Sequence, residues 1–170
     1  MATTDQNLSQ FDISDLDDCS SMRIGIVHAL WNKEVTNELL NGCEETLKAA
    51  GVPNDNIYKL DVPGSFELVS GARLIASRSP LDAVICIGCV VKGETPHFDY
   101  ICQAVANGIA GLNAHLGIPF IFGVLTTNDQ QQALERAGGK HGNKGSESAY
   151  TALKMGLLKM KFGGTSPVGF

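Results

Sequence analysis

The sequence is short of several things that would assign it quickly. It has no apolar run approaching the eighteen or so residues that a membrane span needs. It has no basic stripe, which argues against nucleic acid as a partner. The N-terminus shows no basic, apolar, small-residue series of a signal peptide, so a cytoplasmic protein is expected. Three familiar signatures are missing: the G-x-x-x-x-G-K-[ST] phosphate loop, the strand-to-helix G-x-G-x-x-G, and the G-x-S-x-G nucleophile elbow. Aromatics are scarce at 6%, with a single tryptophan. The five cysteines are an odd number, which in this setting points to free thiols. Cys86 and Cys89 have C-x-x-C spacing, but no second pair exists to complete a zinc site. They fall in an apolar strand-like run, where positions i and i+3 face opposite sides. Both are therefore expected to be buried structural thiols rather than a redox pair.

What is present is ordinary in amount and uneven in place. The 170 residues are 44% hydrophobic and 18% charged, enough for one domain with a real core. The net charge is −5, and its source is local. Residues 1–21 carry Asp5, Asp12, Asp15, Asp17 and Asp18 and no Lys or Arg. This segment is expected to be a disordered tail or a docking arm, with Phe11 and Ile13 as its anchors. Residues 22–162 follow as a single domain, and 163–170 as an irregular tail.

Periodicity divides that domain into alternating strands and helices. Strands are predicted over Met22–Ala29, Ile57–Val62, Ala83–Val91 and Pro119–Leu125. Between the first two lies a helix with Asn32 as N-cap, an apolar face of Val35, Leu39, Leu40, Cys43 and Leu47, and Gly51 closing it. A second helix follows Glu67, a third runs from about Phe98 to Leu116, and a fourth is capped by Asn128 or Asp129. Gly138–Gly145 is predicted as a turn-rich loop, after which Ser146 opens the last helix. Such alternation predicts an α/β fold, a parallel sheet with helices on both faces and right-handed crossovers.

In an open α/β sheet, ligands bind beyond the carboxyl ends of the strands. Those ends carry Trp31-Asn32, Ser65-Phe66-Glu67, the loop from Lys92 through Glu94 and Thr95 to His97, and Thr126-Thr127-Asn128. Singly, each has an ordinary reading: Trp31 as a packing residue, Glu67 as a first-turn carboxylate, His97 as a capping or solvated histidine, Arg136 and Lys144 as surface charges. Together they suit a flat polar ring. Aromatics offer stacking faces, amides and acids read ring heteroatoms, and imidazole moves protons near neutral pH. A receiver-type signalling domain would need an acidic cluster after the first strand and an Asp after the third. Neither is there.

Four stretches carry a resemblance. Pro63-Gly64-Ser65-Phe66-Glu67-Leu68, Lys92-Gly93-Glu94-Thr95-Pro96-His97-Phe98-Asp99-Tyr100, Phe122-Gly123-Val124-Leu125-Thr126-Thr127, and Gln132-Ala133-Leu134-Glu135-Arg136-Ala137-Gly138 with Gly142-Asn143-Lys144-Gly145 stand in order and at spacings that resemble the lumazine synthase family of riboflavin biosynthesis. The resemblance spans residues 22 to 160 or so. It implies a three-layer, flavodoxin-like α/β/α sandwich with a four-stranded parallel sheet in the order 2-1-3-4. It implies a transferase that condenses 5-amino-6-(D-ribitylamino)uracil with 3,4-dihydroxy-2-butanone 4-phosphate, losing phosphate and water, with no metal or organic cofactor. His97 resembles the proton shuttle, and Arg136 the phosphate anchor, with donors from Glu94 and Thr95. Trp31 resembles the aromatic that stacks on the pyrimidine, with Asn32 beside it. Ser65, Phe66 and Glu67 resemble the segment reading the ribityl chain. Val90, Val91 and Lys92 line the pyrimidine side. Phe122 and Lys144 match residues supplied by a neighbouring subunit. A homopentamer is implied. The short Gly138–Gly145 link further implies an icosahedral capsid, and the pathway implies a functional link to riboflavin synthase. The alternative is a non-catalytic flavin- or lumazine-binding protein on the same scaffold.

Overall fold

The computed structural model describes residues 11–78 and 80–163. Four strands form one sheet: β1 (Ile24–Ala29), β2 (Ile57–Val62), β3 (Ala83–Val91) and β4 (Phe120–Thr127). Every pairing is parallel and the order is β2-β1-β3-β4, as the resemblance implied. The central strands β1 and β3 are buried almost throughout. That is why they read as continuous apolar runs rather than alternating ones.

Among the described residues five α-helices connect and cover the strands: α1 (Lys33–Ala49), α2 (Leu68–Arg78), α3 (His97–His115), α4 (Gln130–Glu135) and α5 (Lys144–Phe162). They divide the core in two. Ile24, Ile26, Ile85 and Ile87 meet Leu39, Leu47 and Leu153 on one face of the sheet. Val27, Val84, Cys86 and Val124 meet Leu68, Ile75, Val105 and Ile109 on the other. Cys86 and Cys89 fall in opposite clusters, as strand alternation requires. Burial pushes the Cys86 thiol up to about 12 and Cys89 up to about 11, so neither is a thiolate poised for redox chemistry. Among the described residues no helix is long and apolar enough to cross a membrane.

Several boundaries differ from the sequence reading, each for a local reason. The first strand begins at Ile24. The Gly138–Gly145 segment holds a small antiparallel hairpin, β5 (Ala137–Gly139) and β6 (Gly142–Asn143). Gly138 and Gly142 take positive φ there, a conformation glycine enters at little cost. The last helix starts at Lys144 rather than Ser146, because the Asn143 side chain accepts from the amides of Gly145 and Ser146. Gly145 then lets α5 approach α1, since a Cβ there would collide with the Leu39 carbonyl. At the far end of α3, Asn113 donates to and accepts from the Phe120 backbone, both at 2.8 Å, fixing where β4 enters.

The acidic segment, where described, lies on its own subunit. The Phe11 ring stacks on Tyr150 of α5 at 4.6 Å, Leu16 packs against the core, and Cys19 is buried. Residues 1–10 and the tail from 164 onward lie outside the described residues.

Candidate active site

Beyond the carboxyl ends of β1, β2 and β3 lies a cavity of about 660 Å³. Three loops build its walls. The β1–α1 loop contributes Trp31 and Asn32, and the β2–α2 loop contributes Gly64, Ser65, Phe66 and Glu67. The end of β3 and the start of α3 contribute Cys89, Val90, Val91, Gly93, Thr95, His97, Phe98 and Ile101. Trp31 and Phe66 are 72% and 56% exposed. Large rings left this open beside a cavity offer faces on which a flat ring could stack.

The loops are held at β3. The Cys89 carbonyl accepts from Asn32 Nδ2 at 3.0 Å and from Ser65 Oγ at 3.4 Å. Gly88 makes the second contact possible, since a Cβ there would fall 2.8 Å from Ser65 Oγ and 2.9 Å from Leu68 Cδ1. The Asn32 amide and the Ser65 hydroxyl are therefore engaged by backbone. The sequence reading had both as substrate contacts, and both line the cavity. Asn32 also makes no side-chain cap for α1, although it stands at the N-cap position.

His97 is the first residue of α3 and is exposed on the cavity wall. Lys92 and Glu94 project from the same loop but do not line the cavity. The Lys92 backbone N–H donates to Thr127 O at 2.8 Å, which ties the loop base to β4. Phe122, 37% exposed, sits mid-strand on β4.

Arg136 and Lys144 stand apart from the cavity, at the α4–α5 corner. Arg136 Nη1 donates to the His141 carbonyl, and Nη2 meets Glu147 Oε1 at 2.8 Å and Oε2 at 3.0 Å. Lys144 Nζ reaches Glu147 Oε2 at 3.3 Å. Arg136 was expected to join the rim from its own chain. In the structure it shares one carboxylate with Lys144, and among the described residues no Lys or Arg lines the cavity. Glu147 was not among the sequence-predicted site residues. Its i+3 spacing from Lys144 was the available signal. Phe98 and Ile101 were missed as well, although Ile101 lies one helical turn on from His97 and Phe98 stands at i−3 to Ile101.

Among the described residues no group of three or more His, Cys, Asp or Glu side chains is placed to hold a metal. The cavity thus offers two stacking faces, a carboxylate, backbone groups at a strand end and one imidazole.

The sequence profile of 6,7-dimethyl-8-ribityllumazine synthase matches residues 21–160. Three relatives bear that same name. The chain is 56% identical to the one from Parabacteroides distasonis over 155 residues, covering 91% of this chain and 97% of the relative. It is 52% identical to the one from Cytophaga hutchinsonii over 155 residues, 91% and 97% of the two chains. It is 53% identical to the one from Porphyromonas gingivalis over 159 residues, 94% and 99% of the two chains. The chain belongs to the 6,7-dimethyl-8-ribityllumazine synthase family.

Proposed function

We infer that this chain catalyses the condensation of 5-amino-6-(D-ribitylamino)uracil with 3,4-dihydroxy-2-butanone 4-phosphate to 6,7-dimethyl-8-ribityllumazine, in riboflavin biosynthesis in the cytoplasm. The observation that carries this reading is the cavity itself: two open aromatic faces, Glu67 and His97 gathered by three loops. The pyrimidine stacks on Trp31, against Val90 and Val91. The polar ribityl chain runs along the Ser65–Glu67 segment. The substrates bring their own amine and ketone, so the protein's work is to orient them and move protons. Orientation supplies up to about 7–11 kcal/mol in the best cases. His97, open to the cavity, passes a proton during imine formation and again as phosphate leaves. Thr95 supplies a hydroxyl donor beside it. No electrons are gained or lost overall, so the bond changes need no redox partner.

The phosphate requires a cation, and the cavity wall has no Lys or Arg. A second copy of the chain supplies it. Arg136 and Lys144, joined through Glu147, come from the adjacent subunit together with Phe122, whose ring is open on β4. Arg136 thus moves from the own-chain set into the neighbour's set, because it is tied to Lys144. A guanidinium suits the task through its fixed fork of donors. The resulting assembly is a homopentamer with sites between subunits. Exposed apolar side chains at Tyr100 on α3 and at Leu158, Met160 and Phe162 on α5 support further burial on assembly. Twelve pentamers then close a capsid. A functional link to riboflavin synthase, which consumes the product, follows from the same reading.

The direct test mixes the two substrates with the protein and follows the fluorescent lumazine. Tight binding of product analogues without turnover would revive the non-catalytic binder. Light scattering that found only pentamers at working concentration would remove the capsid.

A further inference from the structure

Among the described non-glycine residues, Asn32 alone has a left-handed backbone, φ 59 and ψ 47. That conformation crowds Cβ against the following carbonyl, and Asn tolerates it better than most residues. Asn32 also stands where a helix N-cap would, yet its side chain caps nothing. Its Nδ2 donates instead to the Cys89 carbonyl at 3.0 Å. The β1–β3 ladder ends at His28 opposite Ile87, so Cys89 lies past the last paired position. The amide thus extends the ladder by one hydrogen bond from a side chain. On the other side of Trp31, the Leu30 N–H donates to Val62 O at 2.8 Å. The Asn32 carbonyl accepts from the amides of Val35 and Thr36 at 2.9 and 3.0 Å. Trp31 therefore sits between two pinned neighbours, one tied to β2 and one to β3. Trp31 itself is 72% exposed in the single chain, so packing within the chain does little to orient its ring.

We propose that Asn32 is a positioning residue, whose left-handed backbone and amide bond to Cys89 hold the Trp31 indole at the angle the pyrimidine needs. It acts through Trp31 and does not read the substrate. This rests on the reading of Trp31 as the stacking face. Trp31 is the chain's single tryptophan, so tryptophan fluorescence of the full-length protein, excited where tyrosine does not absorb, reports on this ring alone.

Asn32→Gly keeps access to the left-handed region and removes the amide. In that variant, acrylamide quenching rises and fluorescence anisotropy falls. The KM for the aminouracil increases about two- to tenfold, the span of one aromatic stacking contact, with kcat less affected. Asn32→Asp keeps the size and the backbone tolerance but turns an acceptor toward the Cys89 carbonyl, so it gives the same result should the glycine variant fold poorly. In a Trp31→Ala background, Asn32→Gly adds nothing further to KM. Unchanged quenching and anisotropy in both Asn32 variants would overturn the proposal. So would a KM increase that persists in full without Trp31, because Asn32 would then touch substrate directly. Wild-type KM in Trp31→Ala alone would instead sink the stacking reading, and the fluorescence arm would still decide whether Asn32 holds the ring.

Discussion

The cavity at the strand ends and the α4–α5 corner are built on opposite plans. The cavity is walled by open rings, strand-end backbone and one imidazole, with no Lys or Arg. The corner is ionic and closed on itself, with Arg136 and Lys144 both drawn to Glu147, whose side chain is 12% exposed. One region has room and no cation. The other gathers its cations around one carboxylate. A phosphorylated substrate with a flat, stacking co-substrate needs both. The separation within one chain therefore makes the second copy a chemical requirement of the proposed reaction, beyond any question of stability.

The largest expected effect tests the cavity half. His97→Ala lowers kcat by about 10²–10⁴-fold, the range of a single positioned acid–base group, and leaves aminouracil binding nearly intact. A loss confined to binding would show that the imidazole is part of the wall and not a proton carrier.

The next effect tests the corner. Arg136→Ala removes a charge-assisted contact pair, so kcat/KM for the phosphorylated ketone falls by at least about 10²-fold, while aminouracil binding is spared. Unchanged kinetics would overturn the phosphate assignment. The two variants together break or keep the comparison. If His97 and Arg136 of one site belong to different copies, co-expressing the two inactive variants restores some sites. Random mixing in a ring restores about one site in four. If both residues serve the same site from one chain, mixing restores nothing.

Much of this was legible beforehand, and the limits were physical. The buried runs of β1 and β3, and the switch to Lys-Gly-Glu-Thr-Pro-His after β3, locate the sheet and the site from local pattern alone. Strand alternation also separates Cys86 from Cys89 correctly. What escaped depends on register and distance. His28 forms a 3.0 Å contact with Asp61, and only the β1–β2 register, which sets them opposite each other, explains it. Asn32 looks like an N-cap because residue type and position agree. Its amide goes elsewhere because a strand carbonyl two residues past the ladder's end competes for it. For Arg136, a motif gives a residue's role without the copy of the chain that supplies it, so the tie to Glu147 and Lys144 could not be read from the sequence.

Glu147 gives the smallest expected effect, and it separates two accounts of the corner. In one, the carboxylate merely holds Arg136 and Lys144 in place. In the other, it also limits their pull on anions, since Arg136, Lys144 and Glu147 together carry one net positive charge rather than two. Glu147→Gln distinguishes them because it preserves shape while removing the charge. If positioning alone matters, the KM for the phosphorylated ketone and the inhibition constant of inorganic phosphate rise together. If charge limitation dominates, phosphate inhibits more strongly and kcat falls as product lingers. We expect the second pattern, with changes of about three- to tenfold, equivalent to one partly screened ionic contact. Phosphate is small and bears its charge on all sides, so it finds two unbalanced cations in almost any arrangement. In the proposed reaction the ketone must also align its carbonyl with the amine of its co-substrate. Removing the acid therefore favours the product over the reacting geometry, and the balance of charge at the corner matters for release as much as for capture.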